Sequence, residues 1–518
     1  MLKITNKSTF INYVLLIAAI VVMANIVSRN LFVRWDATDN KQYSLSESSK
    51  EVIGKLKDPM QVKVYFSDNL PGPLANTRRY VQDLLEEYQA FSDGQFVFEF
   101  VNPDADDKAK EKAQQLGIGP VPVQAVENDK MEMRNVYMGM VLLYGDKKEP
   151  IPVIQSTEGL EYMITATMKK IAATNLKNVG IISPENEEIS TQNLNRFLDQ
   201  LYTVRSVSLG SDISADIQTI IMNGVSDSVK LDDLYRLDQF LMRGGKLFIG
   251  QSNVKDFFQQ GFATDIRSNI FTFLEHYGVR IGKEMITDQS CSQIQMQSQQ
   301  GFFMMRTAVD YPPFPMIRNF NTSHILTQKM TVARLFFVNE VSSAEAAGTT
   351  FTPLMFTSDK TGMLNGPFYQ INPTQNPMMK AFPFGTKTVA ALVEGTFTSF
   401  FKDSARYASR AGFIPANNNG QIIIVTDNQF FNDRRAGGVQ ENTDFILNAV
   451  DYLSGDKELI AIRSRDVSMR PLAEMTDSER RSWKWINILA PGALVILFGL
   501  YMWRRNRQQR KMLEDRYA

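Results

Sequence analysis

Two uncharged apolar stretches, one near each end of the chain, constrain its fold most strongly. The first is Phe10–Val27 and the second is Trp485–Trp503. A bilayer core of roughly 30 Å is crossed by about 20 apolar residues in a helix. We therefore expect membrane helices over residues 10–30 and 485–503.

The first stretch has an alternative interpretation as a cleaved signal peptide, because a basic start and an apolar run are typical of both. No A-x-A-like cleavage site follows it, and Ser28, Arg29 and Asn30 form a poor cleavage context. The sequence therefore favours an uncleaved anchor.

The charges beside these stretches predict the orientation of the chain. Residues 504–518 form a basic tail, and the positive-inside rule places such a tail in the cytoplasm. Lys3 and Lys7 place residues 1–9 there as well. The intervening body is then expected to lie outside the cytoplasm, in the periplasm or outside the cell.

Composition excludes several classes of function for this body. The 56 basic and 56 acidic residues balance, which argues against binding to nucleic acid. Cys291 is the single cysteine, so no intramolecular disulfide is possible. With only His276 and His324, a zinc site or a histidine-based catalytic centre is not expected. We predict no cofactor and no metal.

The first part of the body, residues 36–155, is predicted to be a thioredoxin-like domain. Its apolar patterns give strands and helices in the order β-α-β-α-β-β, which is that of a thioredoxin-like fold. The loop after the first strand contains no cysteine, so the redox pair is absent. A binding or scaffolding role is the better prediction.

Residues 158–466 are predicted to form a doubly wound parallel sheet, because strands rich in Val and Ile alternate with helical segments. The pattern is interrupted from Ile286 to Leu326, which we interpret as a long excursion of surface loops. Residues 361–384 are also expected to be a loop. Residues 467–484 are a predicted linker to the second membrane helix.

One group of polar residues is a candidate contact site for a ligand or a partner. Asp427 follows a buried strand, where ligands bind in open α/β sheets. The segment TDNQFFNDRR would bring Asp433, Arg434 and Arg435 close to it. The alternative is a solvated loop with local ion pairs. We find neither a Walker A motif nor a nucleophile elbow, and we predict that the protein is not an enzyme.

Four motifs in order carry a family resemblance. They are SLSESSKEVIGKLKDPMQVKVYFS, LDQFLMRGGKLFIG, YPPFPMIRNFNTSHIL and NTDFILNAVDYLSGDKELIAIRSR. Together they resemble the Gld-family auxiliary components of ABC transporters, the group named for the gliding-motility protein GldG. The resemblance covers nearly the whole chain.

The resemblance implies an accessory subunit in a bacterial inner membrane that pairs with a separate permease and a separate ATPase. It also implies that the parallel-sheet domain is similar to the glutamine-amidotransferase-like domain of intraflagellar-transport proteins. The catalytic cysteine of true amidotransferases has no counterpart here. The body is expected to bind an envelope protein or an extracytoplasmic substrate.

Within the second apolar stretch, Pro491, Gly492 and Gly499 permit close approach of a neighbouring helix and are candidates for packing against a permease. Two other functions remain open at this stage. The protein could be a stand-alone envelope receptor or hydrolase that uses the Asp427 region, or a structural tether.

Overall fold

In the computed structural model, the described residues are 16–21, 23, 44–127, 130–183, 189–300, 303–435, 438–463 and 477–517. The chain divides into two compact units, Met1–Ser468 and Met469–Ala518. The first unit combines helices with several sheets, which confirms the predicted α/β class. The predicted first membrane helix, residues 10–30, falls mostly outside the described residues. Of that stretch, residues 16–21 and 23 are helical and exposed.

The first unit begins with a small sheet and the helices around it. The helices are α1 (Glu47–Gly54), α2 (Gly72–Ala90), α3 (Asp107–Gln115) and α4 (Leu160–Ala172). The strands are β1 (Met60–Phe66), β2 (Phe96–Val101), β3 (Val121–Glu127), β4 (Lys130–Val136), β5 (Met138–Tyr144) and β6 (Lys147–Ile151). Four of them form a sheet of order β2-β1-β5-β6, in which β1 is parallel to β2 and the other pairs are antiparallel.

Three local features shape this region: a helix cap, a glycine at a close backbone approach and a separate hairpin. Ser46 Oγ accepts a hydrogen bond from the Ser49 amide at 3.1 Å and so caps the start of α1. At Gly139 a Cβ would lie 2.5 Å from the Pro152 carbonyl oxygen, so only glycine permits this close approach. β3 and β4 form a separate hairpin, and the break at Tyr137 separates β4 from β5.

The rest of the first unit is built around a larger sheet. Its strands are β7 (Asn178–Ile182), β8 (Thr203–Ser206), β9 (Ile217–Asn223), β10 (Lys246–Gly250), β16 (Asn319–Phe320), β19 (Thr349–Phe356), β22 (Thr388–Thr398) and β23 (Ala416–Val425). The order is β16-β19-β22-β23-β10-β9-β7-β8. The five strands from β23 to β8 are parallel, and the pairs from β16 to β23 are antiparallel.

Helices cover both faces of this sheet. They are α5 (Gln192–Leu198), α6 (Leu231–Met242), α7 (Ile270–His276), α8 (Ala405–Ala408), α9 (Gln440–Leu453) and α10 (Lys457–Arg463). In β10, Phe248 packs with α5 and α9 on one face, while Leu247 and Ile249 pack with α6 and α7 on the other. Because successive strand residues point to opposite faces and both faces are covered, all five residues of β10 are buried.

Three small sheets extend from this region. Their strands are β11 (Val254–Phe257), β12 (Phe262–Asp265), β13 (Val279–Asp288), β14 (Cys291–Gln300), β15 (Phe303–Ile317), β17 (Ala333–Arg334), β18 (Asn339–Ser343), β20 (Thr361–Leu364) and β21 (Phe368–Gln370). The prediction of surface loops over 286–326 is therefore wrong, because β14 and β15 form a long antiparallel hairpin. Its polar Gln and Ser residues pair through the backbone, which apolar periodicity does not detect. The predicted loop over 361–384 likewise contains β20 and β21.

The second unit contains one long helix, α11 (Asp477–Tyr517). Residues 478–508 of this helix are long and apolar enough to cross a membrane, and among the described residues it is the one helix that meets this test. The predicted linker 467–484 is helical from Asp477 onward, and the predicted basic tail continues the same helix to Tyr517.

Candidate functional site

Asp427 lies directly beyond the carboxyl end of β23 and is almost completely buried. Its Oδ2 accepts a hydrogen bond from the Phe336 amide and its Oδ1 accepts one from the Gln429 amide, each at 3.0 Å. Burial raises the pKa of Asp427 to about 7, although these two bonds and the charge of Arg435 oppose the shift. The carboxyl group therefore holds the backbone before β18 against the carboxyl end of β23.

The space beside Asp427 is too small for a substrate. A gap of about 10 Å³ is bounded by Asp427, Phe336 and the ion pair that Arg435 forms with Asp256 at 3.0 Å. A single water needs roughly 10–15 Å³. The gap therefore has room for about one water.

Asp433 and Arg434 lie apart from this gap, so the four predicted site residues do not form one cluster. Asp433 Oδ2 accepts hydrogen bonds from the Asn193 amide at 2.9 Å and from Ser190 Oγ at 3.1 Å. It thereby caps the beginning of α5 from a distant part of the chain. Arg434 is exposed. The turns after β23 bury Asn432 and separate these side chains, which spacing in the sequence does not reveal.

A larger cleft lies at the carboxyl ends of β7, β8 and β9. The chain passes from β7 through α5 to β8 on one side, and β9 pairs with β7 on the other side. α5 and α6 pack on opposite faces of the sheet. This divergence is a topological switch point, where open α/β sheets bind ligands.

We call this space the switch-point cleft, and its volume is about 430 Å³. It is bounded by residues at the carboxyl ends of the three strands, by the residues that follow β8 and β9, and by Lys255 of β11. The polar side chains that line it are those of Ser183, Ser206, Ser208, Ser226, Asp227, Ser228, Lys230, Asp233 and Lys255. Sequence reasoning missed this site. The available signal was the serine-rich segments SVSLGS, which begins at the last residue of β8, and GVSDSVK, which follows β9.

A polar network joins the small sheet region to the C-terminal helices of the same unit. Lys169 of α4 donates to Asp456 Oδ1 at 2.6 Å and to Glu458 Oε1 at 2.5 Å. Lys177 donates to the same Asp456 oxygen at 2.8 Å. Burial opposes ionisation of Asp456, but hydrogen bonds from the two lysines outweigh it and lower the pKa of Asp456.

Arg463, the last residue of α10, extends this network. Its guanidinium donates to Asp451 Oδ2 at 2.8 Å, to Asn448 Oδ1 at 2.5 Å and to the hydroxyl of Tyr162 on α4. The Tyr202 hydroxyl connects the two halves, because it donates to Asp451 at 2.6 Å and to Asp456 at 3.1 Å. Burial raises the pKa of Asp451 and the charge of Arg463 opposes that rise.

The three residues proposed to pack against a permease lie in the apolar part of α11. The helix continues through Pro491. Gly492 and Gly499 are exposed, and a Cβ at either would meet no atom within 4 Å. Seven residues apart, they lie on the same helix face.

Cys291, His276 and His324 lie in surroundings typical of structural residues. Burial raises the pKa of the Cys291 thiol to about 11, so the thiol is protonated at neutral pH. His276, in the last turn of α7, lies 2.9 Å from the Thr398 carbonyl oxygen through Nε2. His324 Nδ1 accepts a hydrogen bond from the Leu326 amide, which supports a turn.

The fold defines a class of protein: one that combines an α/β body containing a ligand-sized cleft with an apolar helix long enough to cross a membrane. The family model described as an ABC-type uncharacterized transport system matches residues 176–453, more than half of the chain. The chain therefore belongs to this family of auxiliary proteins of ABC transport. A second model, for a domain of unknown function, matches residues 39–143.

Individual relatives are distant. The chain is 20% identical over 500 residues to an uncharacterized protein of Borreliella burgdorferi. The alignment covers 91% of this chain and 93% of the relative. Among solved structures, the N-terminal domain of mmIFT52 matches with a TM-score of 0.31 and 12% identity, over 53% of this chain and 96% of that domain. The exo-β-1,4-mannosidase Op5Man5 of Opitutaceae bacterium strain TAV5 matches with a TM-score of 0.23 and 10% identity, over 57% of this chain and 40% of the mannosidase. At these TM-scores neither structural likeness supports an argument.

Proposed function

We propose that this protein is a non-catalytic, membrane-anchored accessory subunit of an ABC transport system that pairs with a separate permease and a separate ATPase. The observation that carries this proposal is the family match over residues 176–453. The pairing with a separate permease and a separate ATPase is proposed from the resemblance of the sequence motifs to Gld-family auxiliary components.

The anchoring part of the proposal rests on α11 and on the charges around it. Residues 478–508 are long and apolar enough to span a bilayer, and the basic tail at their end supports a cytoplasmic C-terminus by the positive-inside rule. With a second span over residues 10–30, both termini are cytoplasmic. The body then lies on the outer side of a bacterial inner membrane.

The body is proposed to act as a scaffold that follows the state of the permease. The strand order β2-β1-β5-β6, with one parallel and two antiparallel pairs, supports the thioredoxin-like prediction for its first domain. The five parallel strands with helices on both faces support the doubly wound, amidotransferase-like prediction for the second. The network around Asp456 and Arg463 links the two domains of the body.

Copurification tests this proposal directly. Tagged full-length protein is extracted from its native membrane in mild detergent, and its partners are identified by mass spectrometry together with an ATPase assay. We expect a polytopic permease and a Walker A ATPase in the complex. Recovery of the protein without either partner and without ATPase activity would overturn the proposal and favour a stand-alone receptor, a hydrolase or a tether.

The packing face of α11 gives a matched pair of variants for the same experiment. The double variant Gly492→Leu and Gly499→Leu fills the face on which close approach is proposed. Leu494→Phe adds bulk on the opposite face of the helix. We expect the glycine variant to lose the permease and the Leu494 variant to retain it, with equal amounts of both proteins in the membrane.

A further inference from the structure

The switch-point cleft has the size of a binding site for a small molecule. Its volume of about 430 Å³ lies in the range of about 300–1,000 Å³ that ligand pockets occupy. It also lies at the position where open α/β sheets bind ligands, outside the carboxyl ends of strands whose connections diverge. The gap beside Asp427 has neither the size nor this position.

The unpaired charges of the cleft leave room for one anionic group on the ligand. Lys230 and Lys255 line it, and across the described ranges neither ammonium group has a carboxylate within salt-bridge distance. Two carboxylates line it as well: Asp233 is held by Arg236 at 2.7 Å, whereas Asp227 has no basic partner among the described residues. The unpaired groups are thus two ammonium groups and one carboxylate, and lysine is a common phosphate ligand in proteins.

The remaining polar side chains favour hydroxyl groups on the same ligand. Ser183 and Ser206 are exposed in the cleft, and within the described part of the chain neither hydroxyl has a protein partner. A serine hydroxyl both donates and accepts, and the carboxylate of Asp227 accepts. Such groups match the alternating donors and acceptors of a polyhydroxylated molecule.

We propose that the switch-point cleft binds a small polyhydroxylated anion, the chemical class that includes sugar phosphates. Lys230 and Lys255 hold the anionic group. Ser183, Ser206 and Asp227 hold the hydroxyl groups. This site goes beyond the accessory role described above, and its occupancy is measured on the isolated protein, so neither result depends on the other.

Titration calorimetry of the full-length protein in detergent tests the site with three probes. They are glucose 6-phosphate, inorganic phosphate and glucose. We expect glucose 6-phosphate to bind more tightly than either of the other two, because only it uses both halves of the cleft. The absence of any heat of binding for glucose 6-phosphate at millimolar concentrations, or equal affinity for all three probes, would overturn the proposal.

Four variants locate the binding. Lys230→Gln and Lys255→Gln each remove one charge and keep most of the side-chain stem, and we expect each to weaken glucose 6-phosphate binding about tenfold. Ser206→Trp fills the cleft from an exposed position and should abolish binding. Lys402→Gln, at an exposed position that does not line the cleft, is the control and should bind as the unaltered protein does. Unchanged affinity in the first three variants would place the binding elsewhere and contradict the assignment.

Discussion

Lys169 and Asp456 are 287 positions apart in the chain, yet the ammonium group of Lys169 lies 2.6 Å from Asp456 Oδ1. The side chain of Asp456 is only 8% exposed, and Lys177 and Tyr202 also donate to it. One carboxylate thus joins helix α4, which packs on the small sheet, to the C-terminal helices of the large one. The stability of the first unit is therefore expected to depend on this contact.

Replacement of Asp456 by Ala is expected to destabilise the first unit by about 2 kcal/mol, because it leaves two lysines without their shared partner while the partial exposure of Lys169 limits the loss. The measurement is the thermal unfolding midpoint of the full-length protein in detergent. Asp107→Ala, which removes an exposed ion pair with Lys110, is the control and should leave the midpoint unchanged. Equal midpoints for the two variants would contradict a structural role for Asp456.

Replacement of Arg463 by Ala is expected to cost about 3–5 kcal/mol, because Asp451 is fully buried and would lose its ionic partner. The double variant Arg463→Met and Asp451→Leu removes both charges and should be more stable than Arg463→Ala alone. Denaturant unfolding measures both. Arg280→Ala, at an exposed pair with Glu275, is the control. A double variant as unstable as the single one would show that the buried charge is not the cause.

The stability of the protein is expected to depend on pH through Asp427. The folded pKa is about 7 and the unfolded pKa is about 3.9, so the folded state binds the proton more tightly. The resulting stabilisation is complete below about pH 4 and is lost as the pH rises to about 7, by up to about 4 kcal/mol.

Asp427→Asn isolates this effect, because the amide stays neutral. The difference in unfolding midpoint between the unaltered protein and this variant is measured from pH 4 to pH 8. This range covers the interval between the unfolded and the folded pKa of Asp427. We expect the difference to change in favour of the variant as the pH rises. A difference that is constant over this range would contradict the raised pKa.

Substitution of Gly139 by Ala is expected to destabilise the small sheet by about 2 kcal/mol, because the added Cβ would lie 2.5 Å from the Pro152 carbonyl oxygen and 2.8 Å from that of Ile151. Gly119→Ala is the matched control, since a Cβ there meets no atom within 4 Å. Thermal unfolding compares the two. Similar midpoints would show that β5 and the segment after β6 can separate without cost.

The separate elements of the fold were largely predictable from local patterns. The buried strand before Asp427 and the apolar helix over 485–503 follow from side-chain chemistry within a few residues. The β14–β15 hairpin was not predictable in this way, because its Gln and Ser residues carry no apolar alternation and its stability comes from backbone pairing. Asp433 was misplaced for a related reason: its partners, Ser190 and Asn193, are about 240 positions away.

The sequence by itself determined the α/β class, the long apolar helix near the C-terminus and the motifs that indicate an ABC transport auxiliary protein, because periodicity, charge and motif order are local properties of the chain. The tertiary structure decided which polar groups meet. It buried Asp427 against Phe336, joined Lys169 to Asp456 and opened the switch-point cleft, because these depend on the order of strands in the sheet and on where the connections diverge.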